Sequence, residues 1–137
     1  MIIINYWAVL AAAIAQMIIG MFWYSPKVFG KQWMMWSGMT EEKMKATKDK
    51  GMGKTYFAAF VGALVASYVL AHFVAYVHAA DFGGAIYLAF KIWLGFMATK
   101  SLSSVLWEGR PTKLYLLNTI HDLVSISVMS VILALWM

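Results

Sequence analysis

Apolar residues fill four long runs along the chain, and most polar residues are gathered between them. The first run extends from Ile2 to about Tyr24, enough to span a bilayer, since roughly 20 helical residues cover the hydrocarbon core. It closes on the aromatics Phe22, Trp23 and Tyr24, a residue class that collects at membrane interfaces. No Lys or Arg precedes the run, and its apolar character continues past Ala11-Ala12-Ala13; it is therefore expected to remain as a helix and not to be cleaved as a leader. Further runs occupy about 54–78, 84–107 and 112–136. The last three are joined only by the Asp81-Phe82-Gly83-Gly84 turn and a short segment around Pro111, so neighbouring helices must be antiparallel. The pattern predicts an all-α polytopic membrane protein. Four transmembrane helices, with a short interfacial helix in the first loop, form a single transmembrane domain over residues 1–137.

Residues 25–53 form the one sizeable polar stretch. Ser25-Pro26 reads as an N-cap followed by proline at the first helical position. Phe29, Trp33 and Trp36 recur at helical spacing, with Lys27 and Lys31 on another face, which predicts a short helix lying in the interface. Gly38 is placed to end it. Thr40 is placed to cap a second short helix, with Glu41 and Glu42 in the first turn and Lys48 and Lys50 near its end. Gly51 and Gly53 mark the return to the membrane.

The cations orient the chain. Lys27, Lys31, Lys43, Lys45, Lys48, Lys50 and Lys54 lie in or beside the first loop, and Arg110 and Lys113 beside the third. The second turn carries only Asp81. The positive-inside rule then places the first and third loops in the cytoplasm of a bacterial inner membrane, with both termini extracytoplasmic.

The run Trp23-Tyr24-Ser25-Pro26-Lys27-Val28-Phe29-Gly30-Lys31-Gln32-Trp33, followed by Gly38-Met39-Thr40-Glu41-Glu42, resembles the signature of a family of small bacterial membrane proteins classified only as a domain of unknown function. Trp93-Leu94-Gly95-Phe96, Leu106-Trp107-Glu108-Gly109-Arg110 and a last helix bearing Asn118 and His121 are similar to later features of that family. The resemblance spans the whole chain. It implies four membrane helices and a shared loop motif (Trp23, Tyr24, Ser25, Pro26, Phe29, Gly30 and Trp33), and no activity, ligand or catalytic residue.

Composition narrows the chemistry. Of 137 residues, 63% are hydrophobic and 12% charged, against about a quarter charged in soluble domains. With no cysteine, disulfides, thiolate catalysis and cysteine-held metals are excluded. The net charge of +5 sits mostly in one loop beside apolar spans, which fits anionic lipid headgroups and not nucleic acid. No nucleophile elbow, phosphate loop or zinc-peptidase motif is present, so no enzyme activity and no cofactor are expected. His72 and His78 fall on different helical faces, as do adjacent His121 and Asp122, and no metal site is read from them.

The candidate site is an intramembrane polar layer. At ~1.5 Å per residue, Asp122 lies about 15 Å from the loop end of the last helix, near the midplane. Asn118, Asp122 and Ser125 share its face, with His121 at the edge. Lys100 on the third helix and Gln16 on the first fall at comparable depth. Two readings fit. The group forms a proton or ion relay or a solute site, or Lys100 and Asp122 form a charge pair that locks two helices together. Lys91, nearer the opposite surface, is expected to snorkel. Small residues recur every four positions at Ala8, Ala12, Gln16 and Gly20, at Ala58, Gly62 and Ala66, and at Ala59, Ala63 and Ser67. Such ridges favour close helix approach within or between protomers, and a homo-oligomer is expected. The function expected is an oligomeric channel-like or transporter-like protein that binds or passes a small ion, proton or solute. The alternative is a non-transporting scaffold or accessory protein acting through the basic loop.

Overall fold

Asn5 starts the first helix. Its side-chain oxygen accepts hydrogen bonds from the N–H groups of Trp7 and Ala8, filling the N-cap role of that residue type. In the computed structural model, which describes residues 3–136, α1 therefore runs Tyr6–Trp23 and begins later than the apolar run does; Ile2 lies outside the described residues. The Asn5 amide also donates to the Trp136 carbonyl at 2.8 Å, tying the start of the first helix to the end of the last.

The turn after α1 corrects one expectation. Ser25-Pro26 does not open a helix. The Ser25 carbonyl instead accepts from the N–H groups of both Val28 and Gly30, and the Trp23 carbonyl accepts from Phe29. These bonds fold residues 24–29 into a tight knot, and α2 begins only at Gly30 (Gly30–Ser37). A Cβ at Gly30 would stand 2.5 Å from the Tyr24 carbonyl oxygen, so no larger residue fits beneath that peptide. Gly38 ends α2 in the left-handed region (φ 78°). Thr40 then caps α3 (Glu41–Asp49) by accepting from the Lys43 N–H.

Next come α4 (Gly53–Tyr76), α5 (Phe82–Leu106) and α6 (Thr112–Trp136). Asp81 caps α5 through a 2.7 Å bond from the Gly84 N–H. Within α5, Trp93–Ala98 wind as a π-helix, a wider turn with i→i+5 hydrogen bonds. The helices α1, α4, α5 and α6 are long and apolar enough to cross a membrane. The chain is an all-helical, multi-pass membrane protein.

The central helix is α6, which packs against α1, α4, α5 and, at its start, α2, while α1 and α4 also pack on each other. Between α1 and α4 the buried residues are small: Ala8 and Ala12 face Ser67 and Ala71, all with no exposed surface. Ser67 Oγ donates to the Val9 carbonyl across this seam at 2.8 Å. Close approach of this kind lets dispersion and hydrogen bonding hold helices together where lipid supplies no hydrophobic drive. By contrast α5 packs mainly on α6. Trp93 Nε1 donates to the Thr119 carbonyl and Tyr115 Oη to the Ala98 carbonyl, each at 2.7 Å. Trp7, Phe57, Phe96 and Trp107 are largely exposed, which suits side chains whose solvent is hydrocarbon or the interface.

Candidate functional site

Halfway along α6 the apolar sequence is interrupted by Asn118, His121 and Asp122. His121 Nδ1 lies 3.3 Å from Asp122 Oδ1, and their side chains are 14% and 35% exposed. The pair is adjacent in sequence, so its two groups diverge around the helix. Asp122 borders the cavity between α4 and α5, while His121 borders both that cavity and the one beside α1.

The loop motif folds inward onto these residues. Tyr24 Oη donates to Asn118 Oδ1 at 2.7 Å. The His121 ring lies between two aromatics, with centroids 5.2 Å from Tyr24 and 5.9 Å from Trp23. Behind them Trp33 meets Tyr24 edge-on and Phe29 leans on Trp23. The turn at Ser25-Pro26 and the close packing at Gly30 aim both aromatics at α6. Two groups of candidate residues that look separate along the chain, the aromatic turn and the intramembrane polar residues, thus meet in one place. Trp33 reaches the site only through Tyr24, and Ser25 supplies backbone geometry and a hydroxyl bonded to the Phe22 carbonyl.

Two cavities flank the His121 ring. One, of about 400 Å³, lies between α4 and α5 with α6 as its floor. Its walls are Val69, Leu70 and Phe73 on one side and Ile92 and Met97 on the other, with Asp122 and Ser125 beneath. The other, of about 540 Å³, lies between α1 and the start of α4 and extends to Ser25 and Pro26. Gln16 and His121 line both. They form the partition between a cleft at mid-membrane depth and a groove leading to the basic loop.

The imidazole presents a different nitrogen to each side. With Nδ1–H directed at the carboxylate, Nε2 carries a lone pair. That atom is buried without a hydrogen-bond partner among the described residues, and a Cβ on neighbouring Gly20 would stand 3.8 Å from it. A buried polar atom left in this state is uncommon.

Lys100 is not part of the arrangement. It is exposed on α5, and among the described residues the only ion pairs are Arg110–Glu108 and His121–Asp122. The charge pair between Lys100 and Asp122 is not made, because depth along a helix, the ground for grouping the two, does not fix the direction in which a side chain leaves it. Lys91 caps the Tyr87 ring at 4.3 Å on the exterior, and His72 Nδ1 lies 2.9 Å from the Tyr68 carbonyl one turn back. Among the described residues no three His, Cys, Asp or Glu side chains converge as metal ligands.

The cleft walls on α4 and α5, and the bond from Trp93 to Thr119, escape sequence reasoning. An indole N–H inside an apolar span, which must find an acceptor, is the one signal that points to Trp93. Comparison with known proteins gives no curated protein and no solved structure that matches the chain. A family model described as a protein of unknown function (DUF1761) matches residues 7–134, from the first turn of α1 to the last turn of α6. The chain belongs to the DUF1761 family.

Proposed function

We propose that the protein binds and passes a small cation, proton or solute at the His121–Asp122 pair, working as a transporter-like or channel-like membrane protein. One observation carries this reading: the carboxylate of Asp122, halfway along a membrane span, opens into a cleft with His121 as its only ionic partner among the described residues. Placing an ionised aspartate at the centre of a helix in lipid costs about 2.5–3.5 kcal/mol on insertion scales. That cost is avoided when the group takes up a proton or a counter-cation. A site that needs a positive charge and stands open to receive one fits uptake and release better than static bracing. The two cavities meeting at His121 and Gln16 give the pair two approaches, which supports passage over a closed brace. Under the positive-inside rule the Gln16–Pro26 groove faces the cytoplasm, and the exposed small residues Ala58 and Gly62 are the candidate contact for a homo-oligomer.

The test is flux in proteoliposomes. Asp122→Asn should abolish proton- or cation-dependent solute movement while leaving the protein assembled. Flux equal to wild type in that variant removes the reading.

A second reading, a scaffold acting through the loop, is favoured by the exposure of Lys27, Lys31, Lys43, Lys45, Lys48 and Lys50. At about 1 kcal/mol per cation near an anionic surface, these six hold the loop to phospholipid or to an acidic partner. Neutralising Lys43, Lys45, Lys48 and Lys50 should then free the loop from anionic lipid in nanodiscs, read as increased mobility of a spin label on α3, while Asp122→Asn leaves it bound.

A further inference from the structure

From the chemistry of the mid-membrane cleft we infer that its ligand is a lipophilic organic cation, a quaternary or protonated amine carried on an apolar body, which enters sideways from the bilayer between α4 and α5. The inference rests on the reading of Asp122 as a cation site and names the class of ligand.

The first ground is the donor set. An inorganic cation stripped of water needs several oxygen ligands, six to eight for calcium and six in near-octahedral array for magnesium. The cleft offers the Asp122 carboxylate, the Gln16 amide and the His121 ring, whose Nδ1 is already on Asp122; the Ser125 hydroxyl is turned toward Met129 Sδ at 3.9 Å. Such a sparse set cannot replace a hydration shell. It does suit a cation that carries little hydration, because its charge is shielded by carbon.

The second ground is the wall. Val69, Leu70, Phe73, Ile92 and Met97 present hydrocarbon and one aromatic ring around a single carboxylate. Small-molecule sites combine a mostly apolar lining with a few placed polar groups in about 300–1,000 Å³, and this cleft holds about 400 Å³. An apolar body fills the walls while its charge meets Asp122. The Phe73 ring adds a cation–π surface.

The third ground is access. The seam of α1 against α4 is closed by buried alanines and by the bond from Ser67 to Val9. Among the described residues no comparable packing joins α4 to α5, and Val69 and Phe73 are exposed. The mouth of the cleft therefore faces lipid, where a lipophilic cation is concentrated and a hydrated ion is not.

The test uses the full-length protein reconstituted in nanodiscs, with empty nanodiscs as background. The probes are tetraphenylphosphonium, the smaller benzyltrimethylammonium, and tetraphenylborate, which has the shape of the first and the opposite charge. At least one of the two cations should bind saturably, and Asp122→Asn should weaken it tenfold or more while Asp122→Glu retains it. Tetraphenylborate should not bind saturably, and excess sodium or potassium should not displace the cation. Ala66→Phe, which narrows the cleft from α4, should also lose binding at unchanged elution volume and melting temperature.

Equal binding of tetraphenylborate, or cation binding unaffected by Asp122→Asn, would make the cleft an apolar slot for acyl chains and overturn the inference. Absence of binding by both cations overturns it as well. If sodium or potassium flux nevertheless depends on Asp122, the cation site stands and only the ligand class falls. If neither binding nor flux depends on Asp122, both readings fall.

Discussion

Helix α4 has two long sides, and they are built on opposite plans. Toward α1 it presents Ser67 and Ala71, buried against Ala8 and Ala12, with a hydrogen bond crossing to Val9. Toward α5 it presents Val69 and Phe73, which stay exposed beside a cleft of about 400 Å³. Both sides are apolar, so hydrophobicity does not separate them. Side-chain size does: in lipid, helices associate where small residues let backbones approach, and bulky residues hold them apart. The closed side is structure. The open side is where a ligand finds room, and it is also where Asp122 lies.

The largest effect should come from filling the closed side. Ala71→Leu places a branched side chain where nothing is exposed and should destabilise the protein by about 1–3 kcal/mol, read as a lowered melting temperature in detergent. Next is the attachment of α5. Trp93→Phe removes the indole bond to the Thr119 carbonyl, a loss of about 1 kcal/mol. Because the chain has no cysteine, spin labels at introduced cysteines on α4 and α5 should report a wider distance distribution in this variant. A smaller change is expected for Tyr24→Phe, which deletes the bond to Asn118. Intramembrane hydrogen bonds average about 0.6 kcal/mol, so the melting shift should be slight, with altered exchange or mobility of the His121 ring in NMR spectra. Least of all is Ala66→Leu on the open side, expected to fall within about 0.5 kcal/mol of wild type. If Ala66→Leu proves as damaging as Ala71→Leu, the contrast between the two sides fails.

The four spans were legible because hydrocarbon thickness imposes a length on apolar runs whatever the protein does. Caps were legible where a side chain bonds to its own backbone, as at Thr40. Ser25-Pro26 misled because the same residues that start helices also build tight turns. The Ser25 carbonyl, invisible to a side-chain code, takes two N–H groups and delays α2 to Gly30. The site was legible in its members on α6 and not in its assembly. Nothing local to Tyr24 announces that its hydroxyl reaches Asn118 on the last helix, since that contact depends on tertiary packing. Lys100 was grouped with Asp122 by depth alone, and a rise per residue says how far along a helix a side chain lies, not toward which neighbour it turns.

The π segment also bears on how α5 tolerates changes in length. Trp93–Ala98 hold about one residue more than a regular helix would use over the same height. Removing one residue there would let the helix close into ordinary turns, while turning everything from Thr99 to Leu106 by about 100° about its axis. Tyr115 would then lose the Ala98 carbonyl it now holds, and Lys100 would sweep to a new quarter of the bundle. The surplus residue works as a phase setting: it fixes which sector of the far end of α5 meets lipid and which meets α6, independently of the half of the helix that carries Trp93 and the cleft.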